Sequence, residues 1–588
     1  MVTIETTNGG LMERDYTVPI PVIPGHVYKK TAGGIRYVDY EYDSEYKKDK
    51  HYCVPKRKTI GKVCPDDPAR MYPNENYYKF FQDEKAPEIS SADRSLCLRV
   101  GTYFVIEKIL HEYRLSGMIS RIIGEKYGLF LDLMAYSIIE ENNAGQYYPD
   151  YAFNHPLFTK DMQVYSDASV SSFLNGIDRD QSVQFLNLWN KDRSRKDKIY
   201  ISYDSTNKKC QAGDIDLVEV GHSKSGKDDT IFNYSIGYDT ENKEPLFYED
   251  YPGSIVDISQ LDYMVDKAGG YGYRNIGFIL DRGYFSKGNI HHMDQGGYSW
   301  IIMMKGMKPL AKEVIQKVRA TFEHSRRYRI DSYQVSGITV EQQLYPSDEC
   351  HRYFHVYYND YKAASEREDF ESRLTQMKEC LQKNKGMAVT MPDSWKEYFD
   401  LIYYHPGQKD QKFMYGNELT DRIDDAESTL GYFVIITSEK MTAEQALLLY
   451  KSRDASEKLF RGDKSYLGNR SSRMHTTESM RAKIFIEFVA LIVRSRMYVQ
   501  LHDKKKEVGK GTNYLTVPAA IRELEKIEMI YQNDGKYRLA QALTRKQKDI
   551  LSAFGLTGND IKKKSEELAL KIQGIDRAKK KDQPDSSD

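Results

Sequence analysis

Two aspartates, each closing a strand-like run, are the first residues whose type and position could do chemistry. Asp204 lies in KIYISYDST (198–206) and Asp281 in RNIGFILDRG (274–283). Both follow stretches rich in Ile and aromatic residues, the composition of buried strands. If a sheet pairs those strands as neighbours, the two carboxylates emerge side by side. Two like charges ~4 Å apart at an effective dielectric near 20 cost about 4 kcal/mol, so the pair needs a counter-charge. A divalent cation that prefers oxygen, Mg²⁺ or Mn²⁺, would supply it. For either aspartate alone, a turn or cap role after a strand is the simpler account.

A second group lies farther along. YKSRDASEKLFRGDK (450–464) sets Tyr450, Arg453, Glu457 and Lys464 in a Y-x2-R-x3-E-x6-K pattern. At roughly 100° per residue these fall within about 60° of one another, a single helix face that offers a carboxylate, two cations and an aromatic ring. An i,i+4 ion pair would explain Arg453 with Glu457, but neither the tyrosine nor the distant lysine. Gly462 is a point where the helix could stop before Lys464.

The elements that must position these residues follow from periodicity. TIFNYSIGYDT (230–240) and PLFYEDYPG (245–253) read as two further strands joined as a hairpin through Glu241–Glu244. A short helix, Asp257–Lys267, ends at Gly269–Gly270, where a left-handed cap is cheap. YSWIIMMK (298–305) is strand-like, and GYFVIITS (431–438) resumes the pattern after a polar, strand-containing passage. Thr442 and Gln445 have capping-box spacing at the start of the helix that leads to Tyr450. Three strands, a helix, a strand, a short helix and a strand make a mixed α/β sheet covered by helices, the element order of a ribonuclease-H-like fold. The expected division is a basic β-hairpin module at 1–90, with its hairpin from Arg36 to Lys62, and a mostly helical domain at 91–195. The catalytic sheet would fall in two parts, 196–309 and 429–502, around a β-rich insertion at 310–428. A basic helical segment at 503–575, whose helix, Asn533–Asp534–Gly535 turn and ribbon fit either a winged helix or an ordinary helix–hairpin packed against the core, and a disordered tail at 576–588 complete it.

Composition limits what such a chain can be. It has 588 residues, and 86 Lys+Arg less 86 Asp+Glu leaves a formal charge of zero; 40% of residues are hydrophobic, which excludes a disordered or fibrous chain. The length suggests about three to five structural units. The most apolar stretch, Ile484–Val493, is short and interrupted by Glu487, so no membrane helix is expected; with no leader-like start, a cytoplasmic setting is. Six scattered cysteines, none closer than Cys53 and Cys64, give neither a disulfide framework nor a zinc pair. His291–His292 and His351/His355 lack partners at ligand spacing, and no glycine pair has the G-x4-G-K-[ST] form of a nucleotide loop. Local basic runs at 47–62 and 305–329 are hidden by the neutral total, and the candidate regions for reading DNA are 27–62 and 510–545.

In order, YISYDST, ILDRGYFSKGN, YSWIIMMK and Y-x2-R-x3-E-x6-K resemble the DDE transposases of bacterial insertion sequences. They fit the large group marked by a Y-R-E-K signature; KRKTIGKV in the N-terminal hairpin and the chain length are most similar to its long branch typified by IS-sixteen-thirty-four. The resemblance implies Asp204, Asp281 and Glu457 as catalytic metal ligands for Mg²⁺, with Mn²⁺ able to substitute. It implies DNA contacts by Tyr450, Arg453 and Lys464, and by Arg282 and Tyr284 in the D-R-G-Y stretch. The 175 residues between Asp281 and Glu457 (457 − 281 − 1) suit the β-rich insertion of such enzymes. The implied function is metal-dependent cleavage at element ends and 3′-OH strand transfer into target DNA, by a cytoplasmic protein expected to dimerise on paired terminal inverted repeats. A ribonuclease-H-like nuclease without strand transfer, or a catalytically silent DNA-binding regulator, is the alternative; the presence of all three acids favours activity.

Overall fold

The computed structural model describes residues 17–32, 34–47, 52–65, 67–81, 94–191, 198–210, 215–222, 228–255, 257–273, 275–305, 307–454, 471–472, 476–509, 511–532 and 536–582. The chain starts with a five-stranded antiparallel sheet of β1 (Val18–Pro19), β2 (Val27–Ala32), β3 (Ile35–Lys47), β4 (Tyr52–Val63) and β5 (Arg70–Pro73), followed by α1 (Glu75–Phe80). The basic run of β4 faces acidic residues of β3. Lys56 lies 3.2 Å from Asp43, Arg57 3.0 Å from Glu41, and Lys30 of β2 2.7 Å from Asp39. Cross-strand pairing thus neutralises much of what looks like a cationic patch in sequence.

A short strand β6 (Cys97–Arg99) leads into α2 (Gly101–Glu112), α3 (Leu115–Ile123), α4 (Tyr127–Ile139), α5 (Tyr148–Asn154), α6 (Asp167–Asn175) and α7 (Arg179–Lys191). α4 is apolar all round and buried along nearly its whole length, as a helix in the middle of a bundle must be.

The large sheet begins with β7 (Ile199–Cys210), β8 (Glu219–His222), β9 (Asp228–Asp239) and β10 (Glu244–Pro252), then α8 (Asp257–Gly270), β11 (Ile276–Leu280), α9 (Lys287–Gln295) and β12 (Ser299–Met303). All six strands expected from periodicity at 198–206, 230–240, 245–253, 274–283, 298–305 and 431–438 are strands. α8 runs through Gly269 and Gly270, and the left-handed residue after it is Gly272, with φ +80°. Beyond α10 (Lys308–Val318), β13 (Arg329–Ile330), β14 (Val335–Gln343) and β15 (His351–Tyr358) join this same sheet next to β18 (Tyr432–Thr437). Between them α11 (Asp360–Lys383), the hairpin β16 (Phe399–Tyr404) and β17 (Lys412–Glu418), and α12 (Thr420–Glu427) enclose a small core of their own around Phe370, Phe399 and Phe413. So within 310–428 β13, β14 and β15 extend the main sheet, while α11, the β16–β17 hairpin and α12 pack around a separate core.

The sheet order is β10-β9-β7-β11-β12-β18-β15-β14-β13. β7, β11 and β12 are parallel to one another, and β9, β10 and β18 run against their neighbours. α13 (Ala443–Lys451) and, after β19 (Ser471–Ser472), α14 (Thr477–Val508) cover one face. Tyr450 packs there with Ile279, Ile301 and Ile435, and Phe488 meets Tyr248 at 4.8 Å. α8 and α9 cover the other, where Ser235 reaches Met264. The chain ends with α15 (Val517–Leu524), β20 (Glu528–Tyr531), β21 (Tyr537–Leu539), α16 (Arg545–Ala553) and α17 (Gly558–Asp582). β20 pairs with both β21 and β6, so the two ends of the helical region share a three-stranded sheet. The expected 533–535 turn lies outside the described residues. Among the described residues no helix is long and apolar enough to cross a membrane.

Candidate active site

The sequence pattern predicts a strand end at Asp204, but β7 continues to Cys210; what stops at that level is its parallel neighbour β11. The last register pair of the two strands is Tyr203 with Leu280, and Asp204 and Asp281 are the next residue on each. Neighbouring parallel strands put them about 5 Å apart at the backbone. Alternation assigns a common face: Ser202 and Ile279 are register partners, and Ile279 belongs to the cluster under α13. Asp204 accepts the Ser205 amide at 2.8 Å. Asp281 caps the single turn Arg282–Tyr284, accepting the Arg282 amide at 2.8 Å.

Thr442 and Gln445 form the capping box expected of them at the start of α13. The single helix face drawn through Tyr450 and Arg453 does not form, however. α13 ends at Lys451, and Ser452 turns its hydroxyl back onto the Leu449 carbonyl at 2.6 Å, the group that a continuing helix would offer to the Arg453 amide. That amide bonds to the Tyr450 carbonyl instead, at 3.2 Å. From this turn the Arg453 guanidinium reaches Asp281, with Nη1 2.7 Å from Oδ1, and lies over the Tyr450 ring.

Two residues expected at DNA are placed inside the protein. Tyr450 is buried in the cluster beneath α13, because its ring is the last apolar group on the helix face that meets the sheet. Tyr284 is buried on the opposite face of β7, where its hydroxyl donates to Ser205 Oγ at 2.8 Å and its ring meets Tyr203. It ties the loop that follows Asp281 to the residue that follows Asp204, a positioning role. Arg282 is exposed beside Asp281. Glu457 and Lys464 lie outside the described residues. Of the described residues on either side of them, Arg453 contacts Asp281, and Ser471 of β19 is in register with Lys209 of β7.

Among the described residues no group of three or more His, Cys, Asp or Glu side chains is arranged for a metal. The two aspartates fit a hard divalent cation by donor type, by sharing a face and by partial exposure. They are two donors of the expected three, and Arg453 supplies positive charge to one of them.

Sequence reasoning passed over a buried ion pair on the same face of β7. Lys208 lies 3.0 Å from Glu487 of α14, both nearly inaccessible, with Asn143 also donating to Glu487 at 3.2 Å and the ammonium over the Tyr234 ring. The signal was available: a glutamate amid nine apolar residues, in a stretch too short for a membrane, needs an internal cation. The basic run at 305–329 is likewise partly matched by acids, with Lys317 near Glu313 at 2.7 Å and Arg326 near Asp331 at 3.1 Å.

Residues 201–493 match the family model described as Transposase DDE domain. This segment is similar to the transposase DDE domain. The match opens in β7, three residues before Asp204, and closes in α14 beyond Glu487, so the matched segment takes in both aspartates, the Y-x2-R-x3-E-x6-K segment and the strands that widen the sheet. No curated protein matches the chain. Among solved structures, it aligns with the cryo-EM structure of the piggyBac transposase synaptic complex with hairpin DNA at 9% identity and a TM-score of 0.37, over 77% of this chain and 76% of the other. An alignment that loose transfers no feature to this chain.

Proposed function

We propose that the chain is a DNA transposase that cuts at the ends of a bacterial insertion sequence and joins the freed 3′-OH to target DNA. The observation that carries this is the pairing of Asp204 and Asp281 on one face, at the level where β11 stops, inside the segment that matches the transposase DDE domain. The strand order β10-β9-β7-β11-β12, with three parallel central strands, supports a ribonuclease-H-like reading of the sheet. Glu457 is the third acid: it follows Arg453, which touches Asp281, by four residues in the sequence.

Asp204, Asp281 and Glu457 would hold Mg²⁺, or Mn²⁺ in its place. When bound, the metal supplies Lewis-acid activation of the attacking water or 3′-OH and neutralises the leaving oxygen. The chain's own residues do the positioning. Tyr284 fixes the Asp281 loop to β7, and Tyr450 supports the Arg453 guanidinium from below. Arg282 is the exposed cation beside Asp281, Arg453 lies on its inner side over Tyr450, and Lys464 is the third cation of the signature; a guanidinium matches the two free oxygens of a DNA phosphate. Double-stranded DNA is thus the partner, on terminal repeats and then at the target, handled by a homodimer in the cytoplasm.

The test is cleavage of a labelled duplex bearing the element's own end, with Mg²⁺, by the wild type, Asp204→Asn, Asp281→Asn and Glu457→Gln. We expect nicking at the end by the wild type and at least a thousandfold loss in each variant, with DNA binding retained. Equal cutting by Glu457→Gln would remove Glu457 from the site. Binding without cutting by the wild type would make the chain a DNA-binding regulator.

A further inference from the structure

Asp281 already has a cation, and that cation comes from the signature segment itself. Arg453 Nη1 lies 2.7 Å from Asp281 Oδ1, and the same oxygen accepts the Arg282 amide at 2.8 Å. The arginine side chain is 15% exposed against 40% for the aspartate, so the guanidinium sits on the inner side of the carboxylate, over the buried Tyr450 ring. With Asp204 on the adjacent strand, the guanidinium offsets the repulsion that two neighbouring carboxylates feel when nothing else is bound. It also opposes a divalent cation, since the incoming charge has the same sign and Oδ1 is doubly engaged.

We propose that Arg453 is an interlock between DNA and metal. In the DNA-free protein its guanidinium holds Asp281; a backbone phosphate of bound DNA draws the guanidinium away, and Asp281 becomes available to the cation. This rests on the metal-dependent reading above. The fold favours such an exchange. Arg453 stands in a turn outside α13 rather than within its hydrogen-bonded body, and phosphate is the better partner because it takes a guanidinium in two parallel hydrogen bonds. The coupling must also be reciprocal: whatever weakens the Asp281 contact strengthens the hold on DNA.

Two measurements on the full chain test it. Mn²⁺ binding without DNA, followed by loss of the free-ion electron paramagnetic resonance signal, should be about tenfold tighter or more for Arg453→Gln than for the wild type. The gain should vanish in Arg453→Gln/Asp281→Asn. Fluorescence anisotropy with a labelled duplex in EDTA should show Asp281→Asn binding several-fold tighter than the wild type, and this gain should vanish once Arg453 is also replaced. Near-ultraviolet circular dichroism checks the fold, and Arg453→Lys, which keeps the charge but not the fork, should bind Mn²⁺ with intermediate affinity and serves if the glutamine variant misfolds. Unchanged Mn²⁺ affinity in both Arg453 variants, while Asp204→Asn and Asp281→Asn abolish binding, overturns the interlock alone. If the aspartate variants leave Mn²⁺ binding intact, the metal reading and the interlock fall together. A DNA-affinity gain in Asp281→Asn that survives removal of Arg453 also overturns it, as simple loss of a negative charge would then suffice.

Discussion

At the scale of single residues, Tyr284 ties together the two chain segments that carry the paired aspartates. Its hydroxyl joins the loop after Asp281 to Ser205, one position past Asp204, so the two carboxylates are held in one frame. Tyr284→Phe removes that hydrogen bond and leaves the ring. It should cost about 1 kcal/mol in chemical denaturation and lower the rate of cleavage more than duplex affinity. His355, set aside as a zinc ligand on spacing, is buried in β15 between the hydroxyls of Thr339 and Thr437, at 2.9 and 3.0 Å. Burial lowers its pKa to about 4 from 6.5. A depressed histidine favours the folded state above the unfolded pKa and loses that advantage as pH falls through the folded value. Stability should therefore drop by about 2 kcal/mol between pH 7 and 5 from this group alone. Urea unfolding at the two pH values, with His355→Gln as reference, measures it: the variant should lack this part of the loss.

At the scale of elements, β7 carries two kinds of charge on one face, Asp204 where β11 ends and the Lys208–Glu487 pair farther along. The pair locks α14 in register on the strand. Glu487→Gln leaves a buried ammonium without its carboxylate and should destabilise by about 3 kcal/mol, whereas Lys208→Met with Glu487→Leu should recover most of the loss. A double-mutant cycle in urea is the measurement, and additive losses would show that the pair is not coupled. The break after Lys451 has equal weight for the site. A Ser452 hydroxyl that takes one carbonyl moves Arg453 off the helix face and onto Asp281.

At the scale of the whole molecule, residues 511–582 close the helical region that precedes the large sheet. β20 pairs with β6, His155 meets Glu525 at 2.8 Å, and Lys564 meets Glu107 at 2.6 Å. A Cβ on Gly101 would lie 2.2 Å from the Leu524 carbonyl, so α2 starts with glycine because the C-terminal segment crosses it there. A chain ended at Gly509 loses Met529, the strand partner of Leu98, and Lys564, which lies over Phe104; both Leu98 and Phe104 are buried in the shared core. It should bind an apolar dye and unfold without the cooperative transition of the full chain. An unchanged thermal transition would show that the two ends fold independently.

The sequence by itself determined what is local: the strand and helix periods, the capping box of α13, the two aspartates after buried runs and the spaced Y-x2-R-x3-E-x6-K segment. These are legible because alternation, cap chemistry and motif spacing act over a few residues. The tertiary structure alone decided which distant groups meet. It paired acidic β3 with the basic run of β4, set Arg453 on Asp281 and Lys208 under Glu487, buried Tyr284 and Tyr450, and joined β6 to β20 across more than four hundred residues. Such pairings depend on how packed faces come into register, and a buried charge takes whatever partner that packing brings within reach.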